Sequence, residues 1–206
     1  MNKSNTPLAE RIRPETIDDI IGQDHLLSEK GILRKAISSG NIPSMIFWGP
    51  PGVGKTTLAR IIAAQAQAPF YTLSAISSGV KEVREVIAKA RFQKNVILFI
   101  DEIHRFNKSQ QDALLGAVEN GTITLLGATT ENPSFEVNSA LLSRCQVYIL
   151  KHLEMDELVK LAENALKKDE TLSKMKIKIH EYDALIGISG GDGRKLLNLL
   201  ELVVDA

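Results

Sequence analysis

The sequence predicts an α/β fold, an open parallel sheet flanked by helices with a smaller helical domain after it, and three observations carry that expectation. The apolar run Met45-Ile46-Phe47-Trp48 feeds directly into the glycine-rich stretch 49–54, and a good helix former follows from Lys55. Short apolar runs then alternate with helical patterns as far as residue 150, the signature of strands buried in a parallel sheet. Beyond Lys151 the strands stop and only helical patterns remain.

Taken in order, residues 1–6 form a short polar tail, and residues 7–22 an apolar and basic lead-in. A helix is expected over residues 32–39. Strands are expected at 45–48, 70–74, 95–101, 122–128 and 146–150, mostly short apolar runs of the kind buried in a parallel sheet. The helices between them are expected at 55–66, at 80–92 with Val83, Val86, Ile87 and Ala90 at helical spacing, and at 109–119 from a Ser109 cap. Right-handed crossovers follow from that alternation. Three more helices are expected at 154–168, 181–188 and 194–204, with Gly190-Gly191-Asp192-Gly193 as the sharpest break between them. Lys174, Lys176 and Lys178 alternate with Met175, Ile177 and Ile179, which reads as a solvated edge with its apolar residues turned inward. The expected division is therefore a core over residues 1–150 and a helical lid over 151–206.

The chemistry starts at Gly49-Pro50-Pro51-Gly52-Val53-Gly54-Lys55-Thr56-Thr57, which fits G-x-x-x-x-G-K-[ST]. A strand entering such a loop ahead of a helix turns several backbone N–H groups, and the positive end of the helix dipole, toward one point where polyphosphate can sit. Lys55 then reaches the β- and γ-phosphates, and the Thr56 hydroxyl is placed to ligate Mg²⁺. The third strand ends on Asp101-Glu102. Asp101 suits the second Mg²⁺ ligand, and Glu102 suits the group that orients and polarises a water for in-line attack on the γ-phosphate. The expected cofactors are ATP and Mg²⁺. His104 reads as a structural or hydrogen-bonded residue, because no second His or Cys stands at ligand spacing.

Composition narrows the alternatives. Lys plus Arg and Asp plus Glu number 25 each, so no bulk basicity announces a nucleic-acid partner, and any such contact must come from a local patch. The split is equally even, with 16 basic against 14 acidic residues up to position 150 and 9 against 11 beyond it. A single cysteine, Cys145, leaves no intrachain disulfide and no multi-cysteine zinc module. The start lacks a signal-peptide core, and no run approaches the roughly 20 apolar residues of a membrane span, which gives a cytoplasmic expectation.

The loop, the paired acids and the Thr-rich end of the fourth strand resemble an AAA+ ATPase. Within that superfamily, Asp101-Glu102-Ile103-His104-Arg105-Phe106-Asn107-Lys108-Ser109-Gln110-Gln111-Asp112 and the stretch from Gly121 to Glu136 resemble the RarA (MgsA) family, as do Pro7-Leu8-Ala9, Arg13-Pro14 and residues 21–26. The resemblance implies a P-loop core whose five parallel strands run in the order 5-1-4-3-2, with an incomplete helical lid. It implies a DNA-dependent ATPase of replication-fork maintenance and recombination, acting on forks, single strands or duplex ends. It also implies single-stranded-DNA-binding protein as a partner, a homo-oligomer, with a tetramer the expectation for the full-length protein, and a nucleoid-associated location.

By the same resemblance Thr130, with Thr129 as the adjacent alternative, takes the sensor-1 position that helps place the attacking water. Arg144, in Ser143-Arg144-Cys145, takes that of the arginine finger serving a neighbouring subunit, and Arg194 that of the lid arginine reaching its own subunit's phosphates. Leu8, Arg13, Ile20, Ile21 and Gly22 correspond to the segment that wraps the adenine.

Family members continue into a C-terminal region that is missing here, so the chain is expected to be monomeric and a poor ATPase by itself. The absence of a ubiquitin-binding zinc finger suggests a bacterial source. The alternatives are a clamp-loader or branch-migration motor subunit and a nucleotide-switched binding module. A protein unfoldase is disfavoured because Ser74-Ala75-Ile76-Ser77-Ser78-Gly79 lacks the aromatic of a threading loop.

Overall fold

The computed structural model describes residues 6–205; of the polar tail expected at residues 1–6, all but Thr6 lies outside them. In chain order the elements are α1 (Leu8–Arg11), α2 (Asp24–Leu27), α3 (Ile32–Ser38), β1 (Met45–Trp48), α4 (Lys55–Gln65), β2 (Phe70–Ser74), α5 (Val80–Ala90) and β3 (Ile97–Asp101). There follow α6 (Lys108–Glu119), β4 (Thr124–Thr129), α7 (Pro133–Glu136), α8 (Ser139–Leu142), β5 (Gln146–Ile149), α9 (Met155–Lys168), α10 (Asp183–Ser189) and α11 (Gly193–Asp205). Single 3₁₀ turns occupy Ile17–Asp19, Ile103–Arg105 and Leu172–Lys174. The described residues fall into two compact units, one made of residues 24–49 and 55–150, the other of residues up to 23, 50–54 and those from 151.

In the first unit five parallel strands pair in the order β2-β3-β4-β1-β5, the order expected from the family resemblance. Alternation along the strands divides their side chains between two faces. Ile46, Leu98, Ile100 and Leu125 join Val83 and Val86 of α5 and Leu114 and Ala117 of α6 in one buried cluster. Phe47, Ile97, Phe99 and Leu126 are fully or almost fully buried on the strands' other side, where α4 lies along β3 and β4. Crossovers between parallel strands demand this arrangement, because each returning helix must cover a face.

The helix after β3 begins one residue earlier than Ser109, at Lys108, and its cap is Asn107. The Asn107 side chain accepts from the Gln110 N–H at 3.0 Å, and the Gln110 side chain accepts from the Asn107 N–H at 2.9 Å. This reciprocal capping box satisfies two orphan donors at once. Inside α6 the buried Gln111 donates to the carbonyls of Phe106 and Glu136 and accepts from the Asn138 N–H, fixing the short helices α7 and α8 against it.

In the second unit Leu153, Leu158, Ala162 and Ala165 pack with Leu196, Leu197 and Leu200 of α11, and Leu8 of α1 is wholly buried among them. Gly190 ends α10 in the left-handed conformation (φ 62°), as the expected break requires. Ile177 and Ile179 turn inward as expected while the neighbouring lysines stay exposed; Met175 remains exposed instead. Arg11 ties the lead-in to this bundle. Its guanidinium donates to Asp169 and to Glu201 at 2.6 Å each, and the other Glu201 oxygen accepts from the Leu8 N–H.

Candidate functional site

A parallel sheet places its ligands at the carboxyl ends of its strands, and here those ends belong to β1, β4 and β3 side by side. Trp48 closes β1 opposite Thr129, the last residue of β4, and Ile100 of β3 pairs with Gly127. The Gly49 N–H donates to the Thr129 carbonyl at 3.1 Å, so the chain entering the glycine-rich loop is pinned to the end of the central strand. Lys55 opens α4, is buried, and donates from Nζ to the Gly49 carbonyl at 2.6 Å. Its ammonium is therefore turned back toward the end of β1. Thr56 and Thr57 follow, half-buried, in the first turn of α4.

The loop residues Pro50–Gly54 belong to the second unit, where they meet the start of α11. Gly52 sits at φ 73°, and a Cβ there would stand 1.9 Å from Asp192 Oδ1 and 2.9 Å from the Asp192 Cα. That same Oδ1 accepts from the Lys195 N–H at 3.0 Å and caps the helix. A Cβ on Gly193 would lie 3.1 Å from the Gly52 carbonyl oxygen, and Arg194 is the next residue, exposed. The motif G-x-x-x-x-G-K-[ST] leaves position 52 open to any residue, so nothing in it announced this contact.

Asp101 ends β3, half-buried, and its carbonyl accepts from the Ala75 N–H at 3.0 Å. Glu102 follows with φ 56° and ψ 45°, a left-handed backbone that a non-glycine residue seldom adopts. The 3₁₀ turn Ile103–Arg105 then brings His104 round, so that its Nε2 stands 3.3 Å from Glu102 Oε2 and its Nδ1 3.0 Å from Thr129 Oγ1. Thr129 is wholly buried and also accepts from the Glu131 N–H at 3.0 Å, whereas Thr130 is half-buried just beyond the strand. The expectation that His104 is hydrogen-bonded agrees with this geometry; its two partners carried no sequence signal.

The remaining candidates stand as follows. Arg144, at the end of α8, donates to the Ala140 carbonyl at 2.6 Å and to Ser143 Oγ at 2.9 Å and pairs with Glu119, with about two-fifths of each charged side chain exposed. Arg13 pairs with Glu10. Ile20 and Ile21 are half-buried, and Gly22 is buried beside Leu153 and Glu157. The carboxamide of the neighbouring Gln23 bonds both ways with the Lys151 backbone at 2.9 Å. Among the described residues no three His, Cys, Asp or Glu side chains cluster to hold a metal, and no helix is long and apolar enough to cross a membrane.

A family model for the ATPase family associated with various cellular activities (AAA) matches residues 45–153, from β1 through Leu153. Replication-associated recombination protein A of Coxiella burnetii is 50% identical over 209 residues, covering 99% of this chain and 48% of that protein. The ATPase WRNIP1 of Dictyostelium discoideum is 47% identical, covering 99% of this chain and 24% of that one. The chain thus spans half or less of the length of these relatives. Among solved structures, the Thermotoga maritima RuvB Holliday junction branch migration motor superposes with a TM-score of 0.75 at 31% identity, covering 94% of this chain and 65% of that one. The chain belongs to the AAA family of ATPases and is similar along nearly its whole length to replication-associated recombination protein A.

Proposed function

We propose that this chain is the nucleotide-binding part of a DNA-dependent ATPase that acts in replication-fork maintenance and recombination. The observation that carries the reading is the adjacency of the β1, β3 and β4 carboxyl ends, from which the loop, the acids Asp101 and Glu102, and Thr129-Thr130 all emerge. In this reading Gly49–Thr57 cradle the phosphates and Lys55 leaves the Gly49 carbonyl for the β- and γ-phosphate oxygens. The hydroxyl of Thr56 and the carboxylate of Asp101 are hard oxygen donors of the kind that hold Mg²⁺ together with substrate phosphates. Bound Mg²⁺ would neutralise charge developing on the phosphate oxygens.

Glu102 holds a water in line with the γ-phosphorus and takes its proton as the water oxygen bonds to phosphorus and the bond to the bridging oxygen breaks, leaving ADP and phosphate. Thr130 helps place that water. Arg194 acts as the lid arginine for the phosphates of its own chain. Arg144 serves a neighbouring copy, for which it must leave Glu119; an exposed ion pair is worth only about 0–1 kcal/mol and does not hold it back. Arg13, Ile20, Ile21 and Gly22 line the adenine, with the buried Leu8 anchoring that segment. Residues 1–150 act as the core and 151–206 as the lid.

Similarity to replication-associated recombination protein A supports the DNA-linked reading. The rest of the reading, a cytoplasmic, nucleoid-associated setting, a homo-oligomer that is tetrameric in the full-length protein, and single-stranded-DNA-binding protein as a partner, is what the family resemblance implies. Similarity to the RuvB motor fits a second reading, a branch-migration motor subunit, only loosely. Phosphate release by the full-length protein, measured with no DNA and with single-stranded, duplex and forked DNA, tests the proposal. DNA-stimulated turnover is expected; turnover no higher than that of a Lys55→Ala variant under every condition contradicts it.

A further inference from the structure

We infer that His104 is a positioning residue for Glu102, holding one carboxylate oxygen in place and tying it to the buried end of β4 through Thr129. The inference rests on the ATPase reading above and extends it to a residue to which that reading gives no part in the reaction.

The hydrogen-bond inventory of the cluster orders it. Thr129 Oγ1 carries one proton and lies 3.0 Å from His104 Nδ1 and 3.1 Å from the Glu131 carbonyl, while it accepts from the Glu131 N–H at 3.0 Å. A neutral imidazole has one donor and one acceptor nitrogen. If the hydroxyl proton went to the Glu131 carbonyl, His104 would have to donate through Nδ1, and its bare Nε2 would face the Glu102 carboxylate at 3.3 Å, a repulsive contact. If the hydroxyl donates to Nδ1 instead, Nε2 carries the ring proton and donates to Glu102 Oε2. The neutral ring is satisfied at both ends in this arrangement alone. In the neutral ring the direction of donation then runs from the Glu131 N–H through Thr129 and His104 to Glu102; in the imidazolium both nitrogens donate, so Nε2–H reaches Glu102 in either form.

Two further features say that the contact matters for where Glu102 points. Glu102 is held at φ 56°, so its backbone sits in a sparsely populated region that persists only where neighbours fix it. His104 is itself well enclosed, with its side chain 12% exposed, and Thr129 is 0% exposed, so the imidazole is a poorly movable prop. With Oε2 engaged by Nε2–H, Oε1 is the oxygen left for the water. Thr129 closes β4 at the Trp48 register position, and its carbonyl accepts from the Gly49 N–H. The position of the water-activating carboxylate is thereby linked to the strand that pins the phosphate loop.

The test uses the full-length protein with saturating DNA and Mg²⁺, and measures kcat, nucleotide affinity and melting temperature for His104→Ala, His104→Gln, Thr129→Val and Thr129→Ser. A 1 Å misplacement of a catalytic group costs about a hundredfold in rate, so His104→Ala should lower kcat by roughly tenfold to a hundredfold while nucleotide affinity stays within about twofold. Thr129→Val, which keeps the shape and removes the hydroxyl, should lower kcat in the same direction. His104→Gln, whose amide can still donate to Glu102, and Thr129→Ser should recover most of the rate. Two results overturn the inference: His104→Ala or Thr129→Val turning over at the parent rate, or kcat, affinity and melting temperature falling together without recovery in the conservative variants. Failure of the underlying ATPase reading looks different, because the parent protein would then not exceed Lys55→Ala.

Discussion

Replacing Gly52 by alanine tests how the phosphate loop is built, at a position its motif leaves open. Two separate costs arise. Alanine at φ 73° occupies the left-handed region, which disfavours an L-residue by about 1–2 kcal/mol. Its Cβ also falls 1.9 Å from Asp192 Oδ1, so the carboxylate must swing away and release the Lys195 N–H that it caps. Loss of such a cap costs about 0.5–2 kcal/mol. The Asp192 Cα, 2.9 Å from the new atom, cannot swing aside and forces a further small backbone adjustment.

A total of roughly 2–4 kcal/mol follows, and for a chain of this length that lowers the thermal midpoint by about 5–15 °C. Calorimetry or circular dichroism on the Gly52→Ala, Asp192→Ala and doubly substituted chains provides the assay. Asp192→Ala should destabilise the parent through the lost cap but add little to Gly52→Ala, where the cap is already displaced, so the two changes should be clearly non-additive. A Gly52→Ala midpoint within 1 °C of the parent, or strictly additive losses, refutes the reasoning.

Further expectations rest on independent groups. Burial pushes the Asp169 carboxyl up, but the Arg11 guanidinium and the Leu172 N–H outweigh it and hold the group below the ordinary aspartate range; Lys168 and Thr16 do the same for Asp19. Groups whose folded pKa is depressed contribute stability that is present above about pH 4 and lost as the pH falls through the folded value. Urea midpoints should therefore fall on acidification below pH 4, and fall less in Arg11→Met, which starts lower because Asp169 is left buried without its partner. Burial pushes the Cys145 thiol up to about 12, so at pH 8 it should react with a thiol reagent at least tenfold more slowly in the folded chain than in urea. In the full-length assembly, Arg144→Ala and Lys55→Ala subunits should each be nearly inactive alone and recover activity when co-assembled, whereas Arg194→Ala mixed with Lys55→Ala should show no recovery. Phosphate release from verified mixed assemblies reads both outcomes.

The sheet was legible because most strands are short, mainly apolar runs separated by helical patterns. The strand order was not readable from that pattern and came with the family resemblance. Edges were harder to place. Residues 95–96 are apolar-flanked but precede the ladder, since Asn95 turns with φ 54° and β3 pairs from Ile97. The short helices α7 and α8 escaped the periodicity because four residues do not complete a hydrophobic face, although Asn132-Pro133 and Asn138, whose side chains accept from the Ser134 and Ala140 N–H groups, were readable as cap signals. In the candidate site the loop, Asp101 and Glu102 could be singled out as candidates because phosphate and Mg²⁺ chemistry restricts both residue type and spacing. The left-handed turn at Glu102, the His104 bridge to Thr129 and the Gly52–Asp192 contact were not legible. Each depends on a backbone angle or a partner distant in sequence, which neither periodicity nor motif spacing encodes.

The central claim, that one Mg²⁺-ATP site divides binding and hydrolysis between Lys55 and Glu102, is tested most directly by titrating Mg²⁺-ATP into Lys55→Ala and Glu102→Gln forms of the full-length protein and measuring their turnover. Lys55→Ala should bind at least tenfold more weakly, because it removes the cation paired with phosphate. Glu102→Gln should bind within about threefold of the parent and lose at least a hundredfold in kcat, because the amide keeps the shape and cannot take the proton from water. Equal loss of binding in both variants, or undiminished turnover in Glu102→Gln, would contradict the claim.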